Sequence, residues 1–167
     1  MDYSKLDVKA KKSWFISRFI ALIIFSALSI TIRVIAHNKL GDKGWIASII
    51  IALIILLLIL NTFVYPTIEY KQWQYTITED KIELVHGIYF IKTTLIPIVR
   101  IQHIKTSQGP INRKLGLSNI EIHTAGGMHE IPNITKEKAE ELSQYLKDKV
   151  HQKVSKNLEA EENNKED

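Results

Sequence analysis

The stretch "WIASIIIALIILLLILNTFVY", Trp45 to Tyr65, contains no charged side chain. At about 1.5 Å rise per residue a helix over it reaches roughly 30 Å, the thickness of a bilayer's hydrocarbon core. A buried helix of a soluble protein is usually shorter and carries a polar stripe, which this run lacks, so the stretch reads as a membrane span.

A second apolar run precedes it, "FISRFIALIIFSALSITIRVIA", residues 15–36, with Arg18 and Arg33 near its two ends. An arginine at the bilayer centre costs at least about 2.5 kcal/mol, but near an end its stem carries the guanidinium to the headgroups. The run is long for a cleaved signal, and a further span follows it at once, so it reads as an uncleaved span. The short polar "HNKLGDKG" joins the two runs, with Gly41 and Gly44 as breakers, which predicts a helical hairpin. Lys5, Lys9, Lys11, Lys12 and Arg18 lead the first span, whereas the connection offers only Lys39 and Lys43 with Arg33 at its edge. That bias places the N-terminus in the cytoplasm, and two crossings return the chain there. Trp14, Phe63, Tyr65 and Trp45 fall at the expected interfaces, where aromatic rings are favoured.

The remainder is polar enough to bring the mean hydropathy of all 167 residues close to zero. From Pro66 onward there are 14 Lys and Arg against 15 Asp and Glu, so the overall charge of +4 resides in the membrane-proximal part. This is not the charge distribution of a nucleic-acid binder. With no cysteine, disulfide and zinc-thiolate chemistry are absent.

Most of the region 67–152 alternates with period two. "YKQWQYTIT" and "KIELVHG" flank the turn "EDK" and predict a hairpin; "IYFIKTTLIP", "VRIQHIKTSQG", "SNIEIHTAG" and "MHEIPNI" follow, the first three ending at Gly or Pro and the last carrying Pro132. In "SNIEIHTAG", Ile120 and Ile122 share one face and Glu121 and His123 the other, as in an antiparallel strand with one wet side. The period then switches. "TKEKAEELSQYLKDKVHQKV" sets Ala139, Leu142, Leu146 and Val150 on one stripe, with Thr135 as N-cap and Glu137 in the first turn. The acidic end, 153–167, is poor in apolar residues and is expected to be disordered. The expected domains are therefore 1–66 (a basic segment and spans 15–36 and 45–65), 67–152, and the tail.

The segment "RIQHIKTSQGPINRKLGLSNIEIHTAG" resembles the membrane-associated bacterial pleckstrin-homology (PH)-like domain proteins, the second bacterial PH group, in its Arg and Gln, its "QG", its "R-x-LG" and its strand ending "TAG". The resemblance runs from the hairpin to about residue 150. The short, evenly spaced strands themselves suggest an antiparallel β-barrel or sandwich, and the resemblance implies a membrane-anchored split barrel of seven strands capped by a C-terminal helix. It also implies a hetero-oligomer with a larger sibling carrying several such domains.

The residues supply less about a ligand. Between Glu83 and Glu121 there is no acid, while Lys92, Arg100, Lys105, Arg113 and Lys114 are present. Beside an anionic leaflet each basic residue contributes about 1 kcal/mol of attraction, yet a solvated face has the same composition. Gly109-Pro110 signals a turn and Gly116 the end of a short helical turn. Gln108, Arg113 and Gly116 thus read either as an anion or docking site or, preferably, as the scaffold of a long connection. His123 and His129 stand opposite each other if the hairpin turns through Gly126-Gly127, a pair without a third metal ligand. No catalytic nucleophile, phosphate loop, cofactor or metal signature is present.

The expectation is a non-enzymatic, membrane-anchored interaction module of the bacterial cell membrane that docks with a membrane protein of its own family. The alternative is a binder of anionic lipid headgroups or an envelope ligand through residues 92–114. The contact candidates are Lys92, Arg100, Lys105, Gln108, Arg113 and Lys114.

Overall fold

The computed structural model describes the backbone of residues 3–40 and 44–163. The chain divides into two compact units. Residues 11–68 form one; residues up to 10, together with those from 69 onward, form the other.

The first unit is helical. Helix α1 spans Ala10–Leu40 and α2 spans Gly44–Phe63, so α1 runs past Ala36 into the expected connection, whose residues 41–43 lie outside the described ones. Both contain windows long and apolar enough to cross a membrane, almost none of whose surface is buried within the protein. Three of their hydroxyls bond inside their own helix: Ser17 Oγ, Thr31 Oγ1 and Thr62 Oγ1 donate to the carbonyls of Ser13, Ala27 and Leu58 at 2.8–2.9 Å. In hydrocarbon such groups find no water, so bonding to a carbonyl one turn back spares them an unmet hydrogen bond. The two helices are antiparallel. Arg33 Nε donates to Ser48 Oγ at 2.9 Å near one end, and the Phe15 and Phe63 rings meet edge-on at 5.4 Å near the other. A third helix, α3, covers Tyr65–Gln72. Residues 70–72, which the alternation placed in a strand, are therefore helical; the ladder of helical bonds continues through Trp73 N–H to Glu69 C=O at 3.0 Å.

The second unit is built on two antiparallel sheets. One orders β1 (Ser4–Lys5), β2 (Gln74–Ile77), β3 (Lys81–His86) and β4 (Lys92–Pro97); the other orders β5 (Ile101–Ser107), β6 (Leu117–Thr124) and β7 (Gly127–Thr135). There are thus seven strands among the described residues, but the sheets do not close into a barrel. Pro97 lacks the N–H that would continue a ladder, and a 3-10 turn at Ile98–Arg100 carries the chain from the first sheet to the second. A six-residue helix α4, Pro110–Leu115, joins β5 to β6; it has Pro at its start and ends at Gly116 in the left-handed conformation at φ 70°.

Strand β1 comes from the segment the sequence assigns to the membrane part. Ser4 pairs with Tyr75 and Lys5 with Gln74, and Tyr3 Oη donates to Glu83 Oε1 at 2.9 Å. Leu6 is buried, and Asp7 N–H reaches the Asn133 carbonyl at 3.3 Å. Asn133 itself has φ 52°, which Asn tolerates better than most residues, and its N–H donates to Asn119 Oδ1 at 2.9 Å. Asn119 Oδ1 also accepts from Asn112 Nδ2 at 3.0 Å, so one side-chain oxygen steadies the irregularity in the β6–β7 ladder and the α4 connection together.

Helix α5, Lys136–Asn163, closes the core against β5, β6, β7 and the 3-10 turn. Lys138 N–H donates to Thr135 Oγ1 at 3.2 Å, the expected N-cap bond. Ala139 and Leu146 of the apolar stripe are fully buried with Ile98, Leu117, Ile120, Ile122, Ile131 and Ile134. The helix continues beyond residue 152, where the sequence reading ends the domain; the residues from there to Asn163 include no Gly or Pro to stop it. Residues 164–167 lie outside the described ones.

Candidate docking cleft

The 3-10 turn, edge strand β4 and the β6–β7 turn enclose an open cavity of about 560 Å³. The turn puts Val99 and Arg100 on its rim, both exposed. Leu95 and Ile101 add apolar wall, and Gln102 and His129 bring further polar groups. Across the cavity the β6–β7 turn is held by Thr124, whose Oγ1 donates to the Gly127 carbonyl at 3.0 Å and accepts the Gly126 N–H at 3.2 Å. A lining of mixed polar and apolar groups with a guanidinium at the rim suits a side chain that brings apolar surface together with a carboxylate, because Arg offers a planar fork of donors to such a group.

The other candidates are dispersed. Lys92 opens β4 opposite His86, at the far end of that strand from Arg100, and is exposed. Lys105 lies along β5 with its Nζ 3.9 Å from Glu121 Oε2. Gln108 follows β5, and its Nε2 donates to the Leu117 carbonyl at 2.6 Å and to Ser118 Oγ at 3.4 Å, which pins the connection. Arg113 and Lys114 are exposed in the last turn of α4, at the opposite end of β5 from Arg100. Gly116 serves as the helix cap.

His123 and His129 do not face each other. The hairpin pairs Thr124 with Gly127, so His123 stands opposite Met128, and His129 opposite Ile122. The neighbour of His123 is His103 on β5, whose ring stacks on it with centroids 4.1 Å apart. Among the described residues, no group of three or more His, Asp or Glu is placed to hold a metal ion.

A carboxylate pair on the wet face of this sheet was not singled out from the sequence. Glu121 and Glu130 are directly opposite. A hydrogen bond from Ser107, helped by Lys105 and His123, holds the Glu121 carboxyl below its ordinary value. Burial and the Glu121 charge push Glu130 up, against a hydrogen bond with Asn119. With its folded value above its unfolded one, Glu130 adds stability at pH below the ordinary carboxylate range and loses that contribution as pH rises through the raised value. Glu130→Gln is therefore expected to stabilise the fold near neutral pH by about 0.2–1 kcal/mol, the range for relieving like charges across a strand pair. The gain should vanish in acid. Melting curves at both pH values check it, and an equal shift at both contradicts it.

The family described as "Bacterial PH domain" matches residues 16–150. The chain is 30% identical over 131 residues to the UPF0699 transmembrane protein YdbS of Bacillus subtilis (strain 168), an alignment covering 78% of this chain and 82% of that protein. It is 29% identical over 94 residues to the UPF0699 transmembrane protein YdbT of the same organism, covering 56% of this chain and 19% of that longer protein. No solved structure matches significantly.

Proposed function

We propose, because the chain belongs to the bacterial PH domain family, that it is a non-enzymatic, membrane-anchored interaction module that docks with another membrane protein of that family. The observation that carries this reading is the open cleft at the β4 edge, lined by apolar and polar groups alike with Arg100 at its rim. Tethering raises the effective concentration of such a surface, so that modest contacts suffice. A larger sibling is the favoured partner. The segment resembling this chain occupies only 19% of YdbT, which leaves that relative with much further chain.

The same reading has both spans crossing the cell membrane with both termini in the cytoplasm. The pairing of β1 with β2 supports an even number of crossings, since residues before the first span and after the second share one sheet. The lysine-rich lead to α1 supports the cytoplasmic side.

The absence of cysteine makes a direct test simple. A photocrosslinker attached at Val99→Cys in the full chain, in native membranes, is expected to yield an adduct with one membrane protein. Arg100→Glu should reduce that adduct at least about tenfold, as reversing a charge at a complementary contact does. An absent adduct, or one indifferent to Arg100→Glu, rules the cleft out. The second reading, binding of anionic headgroups, is favoured by the exposure of Lys92, Arg113 and Lys114. It predicts a salt-sensitive enrichment of anionic lipid around the reconstituted protein, and loss of that enrichment when the three are neutralised.

A further inference from the structure

The region 88–91, Ile-Tyr-Phe-Ile, is unusually apolar for a loop between strands β3 and β4. Tyr89, Phe90 and Ile91 are 77%, 87% and 68% exposed, whereas no other large apolar side chain described in residues 69–152 exceeds 55%. Single exposed apolar residues are ordinary, but three in succession at a loop tip mark a contact surface. The tip is also shaped in advance. Gly87 has φ 135°, and the Phe90 carbonyl folds back so closely that a Cβ at Gly87 would lie 1.9 Å from its oxygen.

Strand β3 ends beside the beginning of β2, with Gln74 opposite Val85, so the loop leaves the sheet at the end where the chain enters it. The chain arrives there from α2 through residues 64–73 alone. The last residues of that approach hold the loop: Gln72 Nε2 donates to the Ile88 carbonyl at 3.3 Å, and the Trp73 ring stacks on His86 at 5.2 Å between centroids. Lys92, exposed, follows directly on the apolar tip.

We propose that the 88–91 loop inserts Tyr89, Phe90 and Ile91 into the bilayer interface, as a third attachment point beside the two spans, with Lys92 at the anionic headgroups. Aromatic rings are favoured at that depth, and a lysine stem reaches from it to the phosphates. Insertion of this kind fixes the tilt of the two-sheet unit on the membrane. It differs from attraction through basic residues alone in persisting at high salt, since burial of apolar surface is not screened.

The test uses the full chain in nanodiscs containing phosphatidylglycerol. A nitroxide at Phe90→Cys, and separately at Tyr89→Cys in case one substitution disturbs the loop, is compared with one at Gln144→Cys on the exposed side of α5. The expected result is that the loop labels collide severalfold more often with oxygen than with a water-soluble nickel chelate, relative to position 144, at low and high salt alike. Loop labels as accessible to the chelate as position 144 overturn the proposal. So does shielding that appears only when a second membrane protein is reconstituted alongside, which assigns the loop to a protein partner. Shielding that disappears at high salt overturns it as well.

Discussion

Ile122→Ala is expected to destabilise the two-sheet unit by about 2–5 kcal/mol, the range for truncating a buried isoleucine to alanine. Ile122 is fully buried in the central strand of its sheet, between Ile104 on β5 and His129 on β7. Helix α5 packs against that same strand. Strands on both sides and a helix above leave little freedom to collapse into the void, so the cost belongs in the upper part of the range. For a domain of this size each kcal/mol lowers the midpoint by roughly 4–8 °C, so a fall of more than about 10 °C is expected. Trp73, stacked on His86, offers a fluorescence reporter inside the same unit. Ile104→Ala, at a half-buried site on the outer strand, is the comparison and should cost clearly less. Equal and small losses at both sites would mean that Ile122 does not lie on the core face of the sheet.

The features that local physics determines were legible in the chain. Two long uncharged runs have no inexpensive place in water, and alternation such as Ile120–Glu121–Ile122–His123 has one sensible orientation against a core. Thr135 ahead of the amphipathic run marked the N-cap, and Gly116 the end of a short helix. Features set by distant pairing were not legible. A two-residue strand, Ser4–Lys5, has no period to detect, and its partner β2 lies beyond both spans. The split between sheets depends on where Pro97 interrupts pairing, so a closed barrel and two open sheets read alike in sequence. The histidine pair failed by one residue of register: opposing His123 and His129 needs a turn centred on Gly126, while pairing Thr124 with Gly127 puts them on opposite faces.

The same limits apply to the candidate contacts. A charge run says how many cations a segment holds, not where the strands carry them. Lys92 and Arg100 lie close in sequence but at opposite ends of β4, and Gln108, read as a choice between ligand and scaffold, bonds to the backbone at Leu117. The cleft walls were invisible for a related reason. Leu95, Val99 and His129 come from three elements that only the tertiary fold assembles.

Gly87→Ala is the second large effect expected. The sequence reads "IYFIKTTLIP" as one strand from residue 88, and its apolar character alone gives no reason to stop; yet β4 begins only at Lys92. What separates the two is the backbone at Gly87. Its φ of 135° is open to glycine and costly for any L side chain. A Cβ there would also meet the Phe90 carbonyl oxygen at 1.9 Å, which is backbone rather than the movable end of a side chain. The conformation alone costs about 1–3 kcal/mol, and relieving the clash requires the turn to open. Gly126→Ala is the control: φ there lies outside the strained region and the nearest atom to a new Cβ is Thr124 Oγ1 at 3.8 Å, so its effect should stay within about 0.5 kcal/mol. If the loop's shape presents the apolar tip, Gly87→Ala should both lower the melting temperature and weaken the lipid exposure of a label at Tyr89→Cys. A lowered melting temperature with lipid exposure intact would show that three apolar side chains suffice without a fixed turn. Unchanged stability would mean that the close Gly87–Phe90 approach is not part of the folded chain, and the shape argument for the loop would fall with it.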